Sequence, residues 1–190
     1  MSVHAATDLR SLTEHPFDLL QEIERRSKVA MAGAAGENVN VEEWVGIGFR
    51  LHDERFIVNR ESIREVLMVP SSMTRVPGAK SWIRGLANVR GHLLPVADLR
   101  LFLGGGVCEA SRSARILVVN SHESPTGFIV DEVFGFRRFL DGEHENEAPQ
   151  TVIRCERFLD GSFHRGEDVW PVFIVDRLLE SKEFQHAAEE

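Results

Sequence analysis

The stretch GLANVRGHLLPVADLR, residues 85–100, predicts a β-hairpin at the centre of the chain. Two apolar runs flank Gly91, and we expect them to form two strands that turn at this glycine. Gly85 and Gly91 tolerate positive φ angles and the close approach of another segment. Arg90 stands between Val89 and Gly91, two residues that cannot shield it. It is either an ordinary exposed arginine at a strand end or a guanidinium that donates paired hydrogen bonds to a partner.

Outward from the hairpin, the sequence continues as short strands. Apolar residues at positions 45, 47, 49 and 51 alternate with glycine and arginine, the period-two pattern of a half-buried strand. Further predicted strands are FIVN (56–59), SIREVLMVP (62–70), ARILVVN (114–120), GFIVDEVFGF (127–136), TVIRCERFLDG (151–161) and EDVWPVFIV (167–175). Many short strands at close spacing are typical of barrels and sandwiches, so we expect an all-β fold. The residues that we expect in its core include Val45, Phe49, Val118, Phe128 and Val130.

Two segments of the sequence resemble each other. GHLLPVADLRLFLG (91–104) and GEDVWPVFIVDRLLE (166–180) both run from a glycine through Pro-Val to an aspartate that opens a leucine-rich stretch. Asp98 and Asp176 are predicted helix N-caps. Pro95 and Pro171 are predicted at strand edges or bulges, because proline cannot donate to a ladder. The repetition suggests two related halves.

The two ends of the chain have helical character. HPFDLLQEIERRSKVAMAG (15–33) has Pro16 at the start of its predicted helix, carries a weak apolar stripe and leads into the linker GAAGENVN. DRLLESKEFQHAAEE (176–190) is predicted as a C-terminal helix. We therefore divide the chain into a helical extension with its linker (1–40), the β domain (41–181) and a C-terminal tail (182–190).

Composition excludes several classes of protein. The 190-residue chain has a formal net charge of −8, which argues against a surface for nucleic-acid phosphates or anionic lipid. Its two cysteines are far apart and form no CxxC pair, so we expect reduced thiols. The N-terminus lacks the pattern of a secretory signal, and no apolar run approaches the roughly 20 residues that span a bilayer. We expect a cytoplasmic protein without direct membrane insertion.

No catalytic or metal-binding constellation is evident. Ser162 and His164 are close in sequence, but we expect them to face opposite sides of a strand and to form a surface turn rather than a catalytic pair. The histidines and cysteines lack zinc-site spacing, and the adjacent carboxylates Glu42–Glu43 and Asp131–Glu132 diverge on strands. We predict a non-enzymatic binding module without metal or cofactor. The alternative is a small β-barrel hydrolase or ligand-binding enzyme.

The central stretch also resembles a known family, the CheW-like domain of bacterial chemosensory adaptors. The residues that carry this resemblance are Pro77, Trp82, Gly85, Asn88, Arg90, Gly91, Leu93, Leu94, Pro95, Asp98 and Leu99. A second signature of the family is matched by Gly127, Val130, Asp131 and Val133. The resemblance spans about residues 42–179. Within the family, the stretches PFDLL, WVGIGFR and GSFHRGEDVWPVF are most similar to the adaptors of type IV pilus twitching motility.

The resemblance implies a fold of two small five-stranded SH3-like barrels around a shared core. It implies no enzymatic activity. It further implies a scaffold that joins the cytoplasmic tip of a methyl-accepting chemoreceptor to the regulatory domain of a CheA-like histidine kinase, held at membrane receptor arrays through these partners. A CheV-like protein would need an additional phospho-acceptor domain, for which this chain has no room.

The resemblance also assigns four candidate binding residues. The family arginine of the groove that meets the receptor hairpin corresponds to Arg90, and a glycine of the same motif corresponds to Gly85. The apolar and acidic positions of the third strand correspond to Ile63 and Glu65. We expect these four residues to form the receptor- or kinase-binding site.

Overall fold

A computed structural model describes residues 43–109, 111–120, 125–153 and 155–188 of the chain. The predicted N-terminal helix and its linker lie outside these residues. The described strands are β1 Glu43–Leu51, β2 Glu54–Asn59, β3 Ile63–Met68, β4 Ile83–Val89, β5 His92–Asp98, β6 Arg115–Val119, β7 Thr126–Val130, β8 Glu132–Leu140, β9 His144–Glu145, β10 Leu159–Arg165 and β11 Asp168–Phe173. The short helices are α1 Leu99–Phe102, α2 Val175–Leu179 and α3 Lys182–Gln185, with three 3₁₀ turns at Arg60–Ser62, Asp141–Glu143 and Glu156–Phe158.

The strands form two sheets, which confirms the mostly β fold. The first sheet has the order β8-β1-β2-β11-β10-β9, and the second has the order β3-β6-β7-β5-β4. The two-residue strand β9 makes the first sheet six-stranded rather than five-stranded. GFIVDEVFGF is two strands rather than one, because the chain leaves the second sheet at the end of β7 and enters the first sheet in β8.

The two sheets repeat one topology, which accounts for the internal sequence resemblance. In each, an antiparallel hairpin (β4–β5 or β10–β11) pairs in parallel with a third strand (β7 or β2), and two further antiparallel strands complete the row. A short helix follows each hairpin. The Asp98 carboxylate accepts a hydrogen bond from Leu101 N–H at 3.0 Å and caps α1 as predicted. The prediction for Asp176 is wrong, because Ile174 occupies the N-cap position of α2.

The two prolines lie in internal strands rather than at sheet edges, but Pro171 lies opposite Ser162, where the register of β10 and β11 is irregular, which fits the predicted alternative of a bulge. Pro95 pairs with Leu86 and Pro171 pairs with Ser162, each one residue before its strand joins the parallel neighbour. Each proline therefore precedes the first residue pair of its parallel ladder.

Three apolar clusters fill the domain. The largest draws side chains from both sheets, including Phe49, Phe128 and Val130, which are at most 2% exposed. Val118 belongs to a cluster within the second sheet, and a third cluster lies within the first. Val45 is only half-buried, because it lies opposite Arg138 near the start of β1. Four of the five predicted core residues are thus buried.

The segment predicted as a C-terminal tail packs onto the domain over its described part, 182–188. It forms the short helix α3, in which Phe184 stacks on Trp82 with ring centroids 5.1 Å apart. Beyond α3, the Ala187 carbonyl accepts a hydrogen bond from Lys80 N–H at 2.8 Å. The predicted single C-terminal helix is two short helices separated at Glu180 and Ser181.

Candidate functional site

Arg90 lies at the tip of the β4–β5 hairpin. Val89 pairs with His92, so Arg90 and Gly91 form a two-residue turn with φ angles of +52° and +85°. Positive φ at both positions is the geometry of a type I′ turn. The side chain of Asn88 accepts a hydrogen bond from Gly91 N–H at 3.0 Å and supports the turn. This geometry places a charged side chain at the outermost point of the second sheet's hairpin.

The guanidinium of Arg90 reaches strand β3. Its Nη2 lies 3.0 Å from Oε2 of Glu65, and the side chain of Arg90 remains 76% exposed while that of Glu65 is 24% exposed. An ion pair this exposed contributes at most about 1 kcal/mol to stability. The ion pair therefore holds the guanidinium near β3 but uses only one of its N–H groups. The remaining N–H donors are accessible to a partner.

A groove of about 550 Å³ opens beside this pair, and we call it the Arg90 groove. It is lined by Arg64, Glu65, Val89, Arg90, His92, Leu93, Leu94, Val118 and Pro125. Leu93 is 66% exposed, whereas Leu94 beside it is 4% exposed and belongs to the core. The Arg90 groove thus combines two arginines, one carboxylate and an exposed aliphatic side chain, which suits a partner helix that presents an acidic residue next to an apolar one.

The matching hairpin of the first sheet carries a closed arrangement. There Arg165, the last residue of β10, contacts both carboxylate oxygens of Glu143 at 2.9 and 3.1 Å and lies over the ring of Phe139. The hydrogen bonds from Arg165 lower the pKa of Glu143. The guanidinium of Arg165 is thus occupied by contacts within the domain, whereas that of Arg90 makes one exposed ion pair among the described residues.

The other two predicted site residues lie outside the Arg90 groove. Ile63 is 8% exposed and belongs to the apolar cluster shared by the sheets. Gly85 is buried with φ +130°, and a Cβ atom there would lie 2.3 Å from the carbonyl oxygen of Thr74. Thr74 exchanges two backbone hydrogen bonds with Leu86, so Gly85 allows this segment to pair against β4. Both residues position the site without lining it.

Leu93, His92 and Arg64 line the Arg90 groove and were not predicted as site residues. The run HLLPV contains two leucines, and only the register of β5 decides that Leu93 faces outward and Leu94 inward. A weak signal existed, because adjacent strand residues face opposite sides and only one of two consecutive leucines enters a core.

The second sequence signature forms a buried junction around Asp131. This residue stands where the chain passes from β7 to β8, and its carboxylate accepts hydrogen bonds from Arg100 at 2.9 Å, from His52 N–H at 2.7 Å and from the Cys108 thiol at 3.2 Å. It connects the β1–β2 turn of the first sheet to α1 and the following loop beside the second. Asp131 is therefore a structural residue.

Both thiols are buried and free. Burial, reinforced by Asp131, raises the pKa of Cys108 to about 12, and burial raises the pKa of Cys155 to about 11. We expect neither thiol to react with Ellman's reagent in the native protein at pH 8, and both to react after unfolding. Because unfolded thiols ionise near pH 9, stability should be unaffected below that pH and fall as the pH rises towards 11. Native labelling at the rate of the unfolded chain would contradict this prediction.

Ser162 and His164 face the same side of β10, contrary to the prediction, because positions two apart on a strand share a face. Ser162 Oγ lies 3.0 Å from Nε2 of His164, and Glu145 Oε2 lies 3.3 Å from the same nitrogen. A catalytic triad needs the acid on the other ring nitrogen, and Ser162 is only 1% exposed. The three side chains join β9 to β10.

Within the described ranges, no group of three or more His, Cys, Asp or Glu side chains is arranged to hold a metal ion. Over the same residues, no helix combines the length and the hydropathy needed to cross a membrane.

Comparison with known proteins relates the chain to one family. The profile described as CheW-like domain matches residues 45–183. The chain is 38% identical over 173 residues to Protein PilI of Pseudomonas aeruginosa, covering 91% of this chain and 96% of that protein. It is 32% identical over 160 residues to the chemotaxis protein CheW of Helicobacter pylori, covering 84% and 95%. The crystal structure of the scaffolding protein TtCheW from Thermoanaerobacter tengcongensis matches with a TM-score of 0.63 and 26% identity, over 74% of this chain and 94% of that one.

Proposed function

Because this chain belongs to the family of CheW-like domains, the scaffold adaptors of chemosensory signalling, we propose that it couples a chemoreceptor to a CheA-like histidine kinase. In this proposal the Arg90 groove receives the helical hairpin at the cytoplasmic tip of the receptor. The kinase regulatory domain binds elsewhere on the domain.

The observation that carries the proposal is the accessible guanidinium of Arg90 beside Leu93. A planar guanidinium donates two parallel hydrogen bonds to a carboxylate, and an exposed leucine in the same groove offers apolar contact. A receptor helix that presents a glutamate and an aliphatic residue on one face meets both requirements. The single contact with Glu65 orients Arg90 towards the Arg90 groove before the partner arrives.

We further propose that the pathway is that of type IV pilus twitching motility. The similarity to PilI extends over 91% of the chain and is higher than the similarity to the chemotaxis protein CheW of Helicobacter pylori. Deletion of the gene in its own organism should abolish twitching zones on agar, and the wild-type gene should restore them. Loss of swimming with intact twitching would contradict this assignment.

Arg90→Ala should weaken binding of a purified receptor-tip fragment about tenfold to a hundredfold, because a charge-assisted contact contributes about 1.5–3 kcal/mol. The melting temperature should change little, since the side chain is 76% exposed and alanine tolerates the turn backbone no worse than arginine. Arg90→Lys keeps the charge without the planar fork and should recover only part of the affinity. Isothermal titration calorimetry and thermal melts measure both quantities.

Controls separate the proposed contact from general effects. Arg112→Ala removes another exposed arginine, outside the Arg90 groove, and should leave the affinity unchanged. Arg90→Ala should also weaken binding in a Glu65→Ala background, because the guanidinium itself touches the receptor. If the receptor fragment binds all variants equally while a kinase fragment loses affinity for Arg90→Ala, the Arg90 groove is a kinase surface and the proposal is wrong.

A further inference from the structure

A second groove runs beside the connector between β3 and β4, residues 69–82, on a different surface from the Arg90 groove. It measures about 640 Å³ and is lined by Ser71, Met73, Arg75, Val76, Ala79, Lys80, Ser81, Ile83, Arg84, Leu101 and Val107. Three of these residues are cations and none is an acid. We call it the cationic groove. The chain has a net charge of −8, so a groove whose charged lining residues are all cations departs from the average charge of the protein.

Ion pairs within the described residues leave the charges of these cations largely unneutralised. Within the described residues, no carboxylate lies within salt-bridge distance of Arg75 or Lys80. Arg84 makes one long contact, 3.4 Å from Nη1 to Oδ2 of Asp98. The same Asp98 oxygen already accepts a 2.9 Å hydrogen bond from Cys108 N–H, so it satisfies the guanidinium only in part. The cationic groove therefore offers N–H donors that the carboxylates of the described residues do not fully satisfy.

The backbone that carries the cations is well fixed. Thr74, next to Arg75, exchanges two hydrogen bonds with Leu86, at 2.8 and 2.9 Å. Lys80 donates its N–H to Ala187 and accepts a hydrogen bond from Ile83. An irregular connector held at both ends positions its side chains with less loss of entropy on binding than a free loop would.

The internal repeat provides a comparison within the same molecule. The connector from β8 to β10 occupies the equivalent place in the first sheet, and it carries Glu143, Glu145 and Glu147. The topology alone therefore does not require a basic connector. Aliphatic side chains also reach the surface at the cationic groove, where Val76 is 41% exposed and Val107 is 50% exposed.

We propose that the cationic groove binds an acidic peptide segment of a partner protein, one that presents carboxylates beside an aliphatic side chain. The arginines and Lys80 receive the carboxylates, and Val76 and Val107 contact the aliphatic group. This interaction is separate from receptor binding at the Arg90 groove and does not depend on it.

The probe is a fluorescein-labelled peptide, Glu-Leu-Glu-Glu-Leu-Glu-Glu, titrated with the full chain and followed by anisotropy at low and moderate salt. The double variant Arg75→Ala/Lys80→Ala should weaken binding about tenfold, because two charge contacts with the peptide are lost. The matched double variant Arg60→Ala/Arg112→Ala removes two exposed arginines elsewhere and should bind as the wild type does. Val76→Ser/Val107→Ser should weaken binding with the charges intact.

Four other results would contradict the proposal. Equal loss in both double alanine variants would mean that only overall charge matters. Full competition by inorganic phosphate, or equal affinity for a peptide in which serine replaces leucine, would reduce the cationic groove to a general anion site. Loss of peptide binding in Arg90→Ala would place the peptide in the Arg90 groove. Each of these results, like an absence of binding by the wild type, would overturn the proposal while leaving the receptor measurement untouched.

Discussion

Phe128→Ala is expected to lower the free energy of unfolding by about 3–5 kcal/mol, the cost of removing a large aromatic side chain from a closed core. Phe128 is 2% exposed and stands in β7 opposite Leu117 on one side and Ala97 on the other. Its ring also lies 5.4 Å from the ring of Phe184 in α3. The apolar cluster to which it belongs takes side chains from both sheets, so the cavity weakens the contact between the two halves.

Phe136→Ala is the matched control for this prediction. It makes the same chemical change on the next strand, but Phe136 is 64% exposed, and we expect a change within about 0.5 kcal/mol. Urea unfolding followed by tryptophan fluorescence measures both variants, and the melting temperature of Phe128→Ala should fall by about 10 °C. Equal stability of the two variants would show that β7 presents its other face to the core.

Asp131→Ala should destabilise the protein by about 3 kcal/mol, because it removes the shared acceptor of a buried junction. The side chain of Arg100 is 13% exposed and loses its only carboxylate within the described residues, while His52 N–H loses its acceptor. The guanidinium of Arg100 then lacks a carboxylate of opposite charge and the His52 N–H lacks an acceptor, and each lost hydrogen bond carries a desolvation penalty. The first sheet and α1 should separate more easily as a result.

Two further variants distinguish the causes of this loss. Asp131→Asn keeps an oxygen acceptor but removes the charge, so its stability should lie between those of the wild type and of alanine. Asp53→Ala removes a neighbouring carboxylate that is 87% exposed and contacts only His52 among the described residues, and it should change stability by less than about 0.5 kcal/mol. Chemical denaturation measures all three variants. If Asp131→Ala left the free energy of unfolding unchanged, the junction around Asp131 would not hold the sheets together.

The local features of the chain followed from its sequence because they depend on neighbours along the chain. Alternation predicted the strand from Glu43 to Leu51, and the two apolar runs that flank Gly91 predicted the hairpin that carries Arg90. The aspartate cap at Asp98 followed from its place before a leucine-rich stretch. Each depends on backbone preferences within a few residues, and such preferences are read directly from residue types.

The composition of the candidate binding site followed from tertiary structure, because strands distant in sequence meet there. The contact between Glu65 and Arg90 depends on how β3 lies relative to the β4–β5 hairpin, and no local pattern specifies that distance. The register of β5 turns Leu93 to the solvent and Leu94 to the core, although both belong to one apolar run. Ile63 packs into the core shared by the two sheets rather than into the Arg90 groove. The carbonyl of Thr74 lies so close to residue 85 that only glycine fits there. The sequence thus determined the central hairpin and the residue at its tip. Packing between the sheets decided which side chains remain exposed, since exposure is a property of the assembled surface.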